Sequence, residues 1–256
     1  MDARDQQRVF ITGASSGIGQ ALARQYAARG AVLGLVGRRQ DALQAVCASL
    51  PGQGHRAYVL DVRDRPALQA AAQDFLSVGP VDCVIASAGI SAGTLTDAPE
   101  DYEVFKAILD TNVLAMMATF QPFMDSMRVR RRGVLVGIGS VAGVRGLPGA
   151  GAYSASKAAV RAYCESLRVE LRGSGVQVVT LAPGFIATPM TAHNPYRMPF
   201  LMPVDRFAEQ AVRAIEAGDR YRVIPWPMAW VGRLLRVVPD ALYDAAAAGR
   251  KRKPRL

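Results

Sequence analysis

Short, continuous apolar runs alternate along this chain with longer stretches in which apolar residues recur every three or four positions. The runs at 8–12, 31–36, 56–60, 81–87, 134–139, 176–182 and 222–225 read as strands, and the periodic stretches at 18–29, 41–50, 66–77, 152–172 and 206–217 read as helices. Residues 99–131 read as two helices with a break near Thr111 or at Pro122. Most of the strands are apolar throughout rather than at every second position, which is the mark of a parallel sheet covered on both faces. Regular alternation of strand and helix builds βαβ units and a doubly wound sheet. The expected fold is therefore one α/β domain over residues 1–256, with about seven parallel strands and helices on both faces.

Composition narrows the class. Half of the 256 residues are apolar, enough for one sizeable core, yet no apolar run reaches the roughly 18 residues of a membrane span. The first ten residues lack the apolar core of a secretion signal. Cys47, Cys83 and Cys164 are scattered and odd in number, and the only histidines are His55 and His193, so no metal-ligand cluster is expected. The cysteines are expected to be reduced, in or near the core of a cytoplasmic protein.

The net charge of +10 is uneven, because residues 250–256 carry five basic groups. Two readings of this tail stand side by side: a frayed, solvated end, or a contact with an anionic membrane surface or other polyanion. The apolar stretch before it, 225–239, carries Trp226 and Trp230. It reads either as a cover for a pocket or subunit interface, or as an element lying in a membrane interface at the inner face. No nucleic-acid-binding motif accompanies it.

The candidate chemistry lies at the strand ends. Gly13, Gly17 and Gly19 fall between the first strand and first helix, where a tight glycine turn lets backbone N–H groups approach a pyrophosphate at a helix N-terminus. Ser15, Ser16 and Ile18 line the same turn. The second strand ends in Gly37-Arg38-Arg39, where a site for a free ribose carries an acid instead. Guanidinium groups at Arg38 and Arg39 match a 2′-phosphate, so NADP(H) is the expected cofactor. Asp61 is placed to accept from an adenine amine, with Val62 offering a backbone contact. Tyr153 and Lys157, four apart, share one helix face. An ammonium beside a phenol favours the phenolate, so the Tyr153 pKa is expected to fall and the phenol to exchange a proton with a carbonyl or carbinol oxygen.

With Thr12–Gly19, Asp61-Val62, Ala86-Ser87-Ala88-Gly89, Asn112, Ser140, Tyr153/Lys157 and Pro183–Thr188 in this order, residues 8–225 resemble the short-chain dehydrogenase/reductase family of about 250 residues. One departure is visible: Ser87 stands where the family has asparagine. The resemblance implies a Rossmann-like fold and an NADP-linked oxidoreductase acting between a ketone and a secondary alcohol. A nucleotide-sensing protein with this fold and little turnover is the alternative.

The resemblance also implies roles. Tyr153 is the general acid or base, and Lys157 lowers its pKa and holds the nicotinamide ribose. Ser140 bonds the substrate oxygen, and Asn112 holds a water on a proton path. Thr188 bonds the carboxamide, with Pro183, Gly184 and Ile186 shaping that pocket, and Ala88 and Gly89 face the cofactor. The substrate is expected under segments 91–97, 141–151 and a lid at 185–203, whose Met190, Met198, Phe200 and Met202 suggest an apolar, acyl-, lipid- or steroid-like molecule. A homodimer or homotetramer is the expected assembly.

Overall fold

The computed structural model describes residues 6–249 and 252–255; the expectations for the first five residues and for Arg250, Lys251 and Leu256 lie outside them. In chain order the elements are β1 (Arg8–Thr12), α1 (Gly17–Ala27), β2 (Val32–Gly37), α2 (Gln40–Ser49), β3 (Arg56–Val59), α3 (Arg65–Ser77) and β4 (Cys83–Ala86). Then follow α4 (Asp101–Leu109), α5 (Ala115–Phe120), α6 (Met124–Arg130), β5 (Gly133–Ile138), α7 (Gly151–Glu170) and β6 (Val176–Pro183). The chain continues through β7 (Ile186–Ala187), β8 (Met202–Pro203), α8 (Val204–Glu216), β9 (Tyr221–Ile224), α9 (Pro227–Val237) and α10 (Asp240–Ala247).

Seven strands form one parallel sheet in the order β3-β2-β1-β4-β5-β6-β9. Side chains alternate across it, so the two sheet faces carry different cores. Val9, Ile11, Leu33 and Leu35 pack with Leu22 and Tyr26 of α1, Leu43 of α2, and Phe207 and Val212 of α8. Phe10, Val32 and Val36 face the other way, against Phe75 of α3, Phe120 of α5 and Val160 and Leu167 of α7. With both faces covered, a polar position in the central strands would have no water to meet, which is why the runs are apolar throughout. The winding direction reverses between β1 and β4, and that reversal opens a crevice at the C-terminal ends of these strands.

The segment between β4 and β5, expected as two helices with one break near Thr111 or at Pro122, is interrupted at both places and forms three helices, α4, α5 and α6. A π-helical turn spans Asp110–Leu114 and a 3₁₀ turn spans Gln121–Phe123, where Pro122 lacks the N–H that an α-helix would use. β7 and β8 were not legible beforehand: they are two residues each and pair only with one another. The lid between them contains no helix; it is a run of turns in which Phe200 and Leu201 are exposed.

The extension beyond β9 folds onto the body. Arg145 donates to the carbonyls of Leu235 and Val238, pairs with Asp240 and lies over the Tyr243 ring, so α9 and α10 are strapped to the loop before α7. Met228 and Gly232 of α9 are buried, while Trp226, Trp230, Leu234 and Val237 remain exposed. No described helix is long and apolar enough to cross a membrane. For residues 252–255 the frayed end is not what the structure gives: the segment is docked, although Arg252, Pro254 and Arg255 remain exposed. Gly93 N–H donates to the Pro254 carbonyl at 2.8 Å, and Arg255 pairs with the buried Asp101 at 2.9 Å and with Glu100. A buried carboxylate needs a cation, and the tail supplies it from 154 residues away in sequence.

Candidate active site

Two adjoining clefts lie along the crevice, of about 300 Å³ and about 90 Å³. The larger is lined by the β1–α1 turn, the end of β2, Asp61-Val62 and Ala88-Gly89; the smaller by Ser140, Tyr153, Lys157 and the segment from Pro183 to Thr191. Ile18, Gly89 and Thr188 border both. Every residue that the sequence assigned to the cofactor therefore lines one cleft or the other.

The turn after β1 has the shape that an anion cradle needs. Gly13 and Gly17 adopt φ +70° and +56°, a region that side-chain-bearing residues rarely adopt. A Cβ on Gly13 would stand 2.7 Å from Ala88 Cα, and one on Gly19 would stand 2.3 Å from the Gly13 carbonyl oxygen. The Ser16 side chain caps nothing at the start of α1, so the first-turn N–H groups there are free of a side-chain acceptor. Ser87 does not leave β4 untied: Thr12 Oγ1 accepts from Ala88 N–H at 3.3 Å and joins the ends of β1 and β4.

At the end of β2, Arg39 is held by the Ser15 carbonyl at 3.2 Å, and Arg38 is largely exposed, 3.8 Å from Asp61. Asp61 is itself engaged by Arg63 through its side chain and backbone, and these bonds hold its carboxyl below the usual range. Its adenine contact would have to share the carboxylate with Arg63.

Tyr153 and Lys157 sit in the first two turns of α7 and point into the smaller cleft, with Lys157 Nζ 5.8 Å from the Tyr153 ring centre. The expected fall in the Tyr153 pKa is not what this geometry gives. Burial raises it, opposed by the Ser140 hydroxyl, because Lys157 is turned to the Ile138 carbonyl at 2.8 Å. Spacing identified the nearest charge but not the desolvation that outweighs it. Ser140 also caps the short turn after β5 by accepting from Ala142 N–H at 3.1 Å, which fixes its side chain at the strand end.

Asn112 lies behind the cleft rather than in it. The π turn carries it inward, where Oδ1 accepts from Ile90 N–H at 2.9 Å and Nδ2 donates to the Ile90 carbonyl and to Ser156 Oγ. Ser156 was not singled out from the sequence. It stands three positions after Tyr153, accepts from Asn112, and donates to the Tyr153 carbonyl, so the i+3 spacing within Tyr153-Ser-Ala-Ser-Lys157 was the available signal. His193 is exposed on the lid and lines neither cleft.

Lys157 is almost fully buried, and burial pushes its pKa down from 10.5 to about 8. The sign is fixed by which state binds more protons. Between pH 8 and 10.5 the unfolded chain does, so stability rises with pH across that window, and below it the full cost of burying the ammonium applies. Cofactor-free Lys157→Met is expected to melt above wild type at pH 7, with the gap closing as pH rises toward 10.5. A gap independent of pH would contradict a desolvated ammonium at this position.

Against this geometry stand the similarities to known proteins. The family model described as short chain dehydrogenase matches residues 7–197. An uncharacterized oxidoreductase of Myxococcus xanthus is 41% identical over 241 residues, covering 93% of this chain and 95% of its own. An alcohol dehydrogenase from the archaeon Thermococcus sibiricus, solved with 5-hydroxy-NADP, superposes with a TM-score of 0.74 at 26% identity, covering 86% of this chain and 96% of the other. A short-chain dehydrogenase from Streptomyces avermitilis gives a TM-score of 0.79 over 95% of this chain and 98% of its own, at 22% identity.

Proposed function

The chain belongs to the short-chain dehydrogenase family, and from that premise we propose that it is an NADP(H)-dependent oxidoreductase interconverting a ketone and a secondary alcohol on a largely apolar substrate. The observation that carries the reading is the convergence of Ser140, Tyr153 and Lys157 in one cleft that opens into a glycine-lined groove at the sheet's switch point.

The residues present fit a dinucleotide. Positions 13 and 19 leave no room for a Cβ, the α1 N-terminus offers N–H groups, and Arg38 and Arg39 give positive charge where a 2′-phosphate would lie. Gly13, Ser15, Ser16, Gly17, Ile18 and Gly19 would hold the pyrophosphate, and Thr188 with Pro183, Gly184 and Ile186 the nicotinamide end. A bound nicotinamide nucleotide supplies or accepts the hydride. The protein's part is position and proton. Tyr153 holds the proton at its hydroxyl and gives it to the oxygen of a ketone, or takes it from an alcohol. A raised phenol pKa in the open site keeps that proton on Tyr153 until a partner arrives. Ser140 donates to the same oxygen and steadies its developing charge. Lys157, held by the Ile138 carbonyl, presents a cation beneath the cleft, and Asn112 fixes the Ile90 backbone at its rear. Met190 on the cleft wall supports an apolar substrate body.

The cofactor preference rests on Arg38 and Arg39, and on the relative from Thermococcus sibiricus being solved with an NADP derivative. Arg38→Ala/Arg39→Ala is expected to raise KM for NADPH by about tenfold or more, the worth of a lost charge-assisted phosphate contact, while KM for NADH changes little. Equal losses with both nucleotides would contradict a 2′-phosphate site.

A further inference from the structure

The tail that docks beside the smaller cleft is built into the protein at several points. Arg255 is fixed by Asp101, whose carboxyl it holds below the usual range and which also accepts from Leu95 N–H at 2.7 Å. Gly93 leaves the tail its path: a Cβ there would stand 2.2 Å from the Lys253 carbonyl oxygen. Gly149 does the same for Arg252, whose side chain would lie 2.9 Å from a Cβ at that position. Residues 93–94 bridge the tail on one side and Gly149-Ala150 on the other, so the tail joins two of the segments expected to cover the substrate.

Between these anchors Lys253 turns inward. Its Nζ donates to Ser91 Oγ at 2.9 Å and stands 5.9 Å from the centre of the Tyr153 ring, on which Lys157 also bears at 5.8 Å. It is half-buried, and among the described residues it makes no ion pair, whereas Arg255 two positions on is paired twice. An ammonium taken out of water without a counter-charge is costly, and its pKa is held down accordingly. An anion arriving with the substrate would offset that cost.

We infer that Lys253 is a specificity-determining residue that receives an anionic group, a carboxylate or a phosphate, carried by the carbonyl or alcohol substrate within a few bonds of the reacting carbon. The substrate is then amphiphilic, with its apolar body toward the Met190 side and its anionic head under the tail. This deepens the oxidoreductase reading and rests on it for the position of the reacting carbon, but not for the anion site.

The test uses 2-oxooctanoate and its uncharged methyl ester as probes on the full chain, with binding followed by calorimetry in the presence of NADP⁺ and turnover followed separately by consumption of added NADPH. Wild type is expected to bind the acid about tenfold more tightly than the ester, the worth of one charge-assisted contact. Lys253→Met is expected to erase that preference while leaving ester binding within about twofold, and Lys253→Arg to retain it. Equal acid-to-ester ratios in wild type and Lys253→Met overturn the inference. A preference that depends on Lys253, seen by calorimetry without any turnover, supports the anion site and contradicts the oxidoreductase reading instead.

Discussion

Tyr153→Phe is expected to lower turnover by about a hundred- to ten-thousandfold, while the fold and NADPH affinity stay near wild type. The substitution removes one hydroxyl and keeps the ring, so the packing of α7 is retained. What disappears is the phenol hydroxyl that the Ser140 side chain meets in the smaller cleft. Lys157 cannot replace it, because its Nζ is committed to the Ile138 carbonyl on the buried side. Ser140 cannot replace it either, since its hydroxyl oxygen is tied to Ala142 N–H and has no base beside it to restore a proton. The measurement is steady-state kinetics with a carbonyl substrate, together with nucleotide titration. A drop in kcat with unchanged nucleotide affinity is the expected result, and retention of more than about a tenth of wild-type kcat would remove Tyr153 from the acid role.

Gly13→Val is expected to destroy nucleotide binding and to lower stability as well. The cause lies in two independent features of the same residue. Its φ of +70° puts a branched side chain in the left-handed region, at a cost of about 1–2 kcal/mol. Its Cβ would also stand 2.7 Å from Ala88 Cα and 2.8 Å from Ala88 N, main-chain atoms held by the bond to Thr12 and unable to rotate away. Gly30→Ala is the control. It has a similar φ of +82° but open space around it, so it bears the backbone cost alone. Gly13→Val is expected to melt several degrees lower than Gly30→Ala and to lose NADPH affinity by more than about tenfold, which Gly30→Ala retains. Equal melting points and equal affinities for the two variants would show that the close approach of β1 and β4 at Ala88 is not what the glycine serves.

Much of this architecture was legible because the sheet is buried on both faces. Strands such as Val32–Gly37 have no polar position to blur their boundaries, and the observed ends lie within about two residues of those read from the sequence. The parallel, doubly wound arrangement could be anticipated from alternation, and the glycine turn from its contiguous residues, whereas the strand order came only with the fold. Features that depend on distant partners were not legible. The tail reads as a solvated basic run until Asp101 and Gly93 are brought beside it by the fold. β7 and β8 are too short to carry a period. The pairing of Asn112 with Ser156 joins two elements 44 positions apart. The Tyr153 pKa is hidden from the sequence for a different reason: a four-residue spacing reports which charge is near, whereas burial and the turn of Lys157 to the Ile138 carbonyl decide the direction of the shift.

The exposed row on α9 is a separate matter from the site. Trp226, Trp230, Leu234 and Val237 stay at the surface while Met228 and Gly232 hold the helix to the body. Arg255 and Lys253, which the sequence offered to an anionic surface, are engaged by Asp101, Glu100 and Ser91.

In the proposed function this cleft moves a hydride and a proton between a nicotinamide nucleotide and a carbonyl. The most direct test is the consumption of NADPH and of NADH by the wild-type protein over ketones of rising chain length, with the alcohol product quantified. The expected result is NADPH loss matched mole for mole by secondary alcohol, faster than with NADH and rising with chain length. Tight NADPH binding with no consumption across the whole series would contradict it and favour a protein that senses the nucleotide without turning it over.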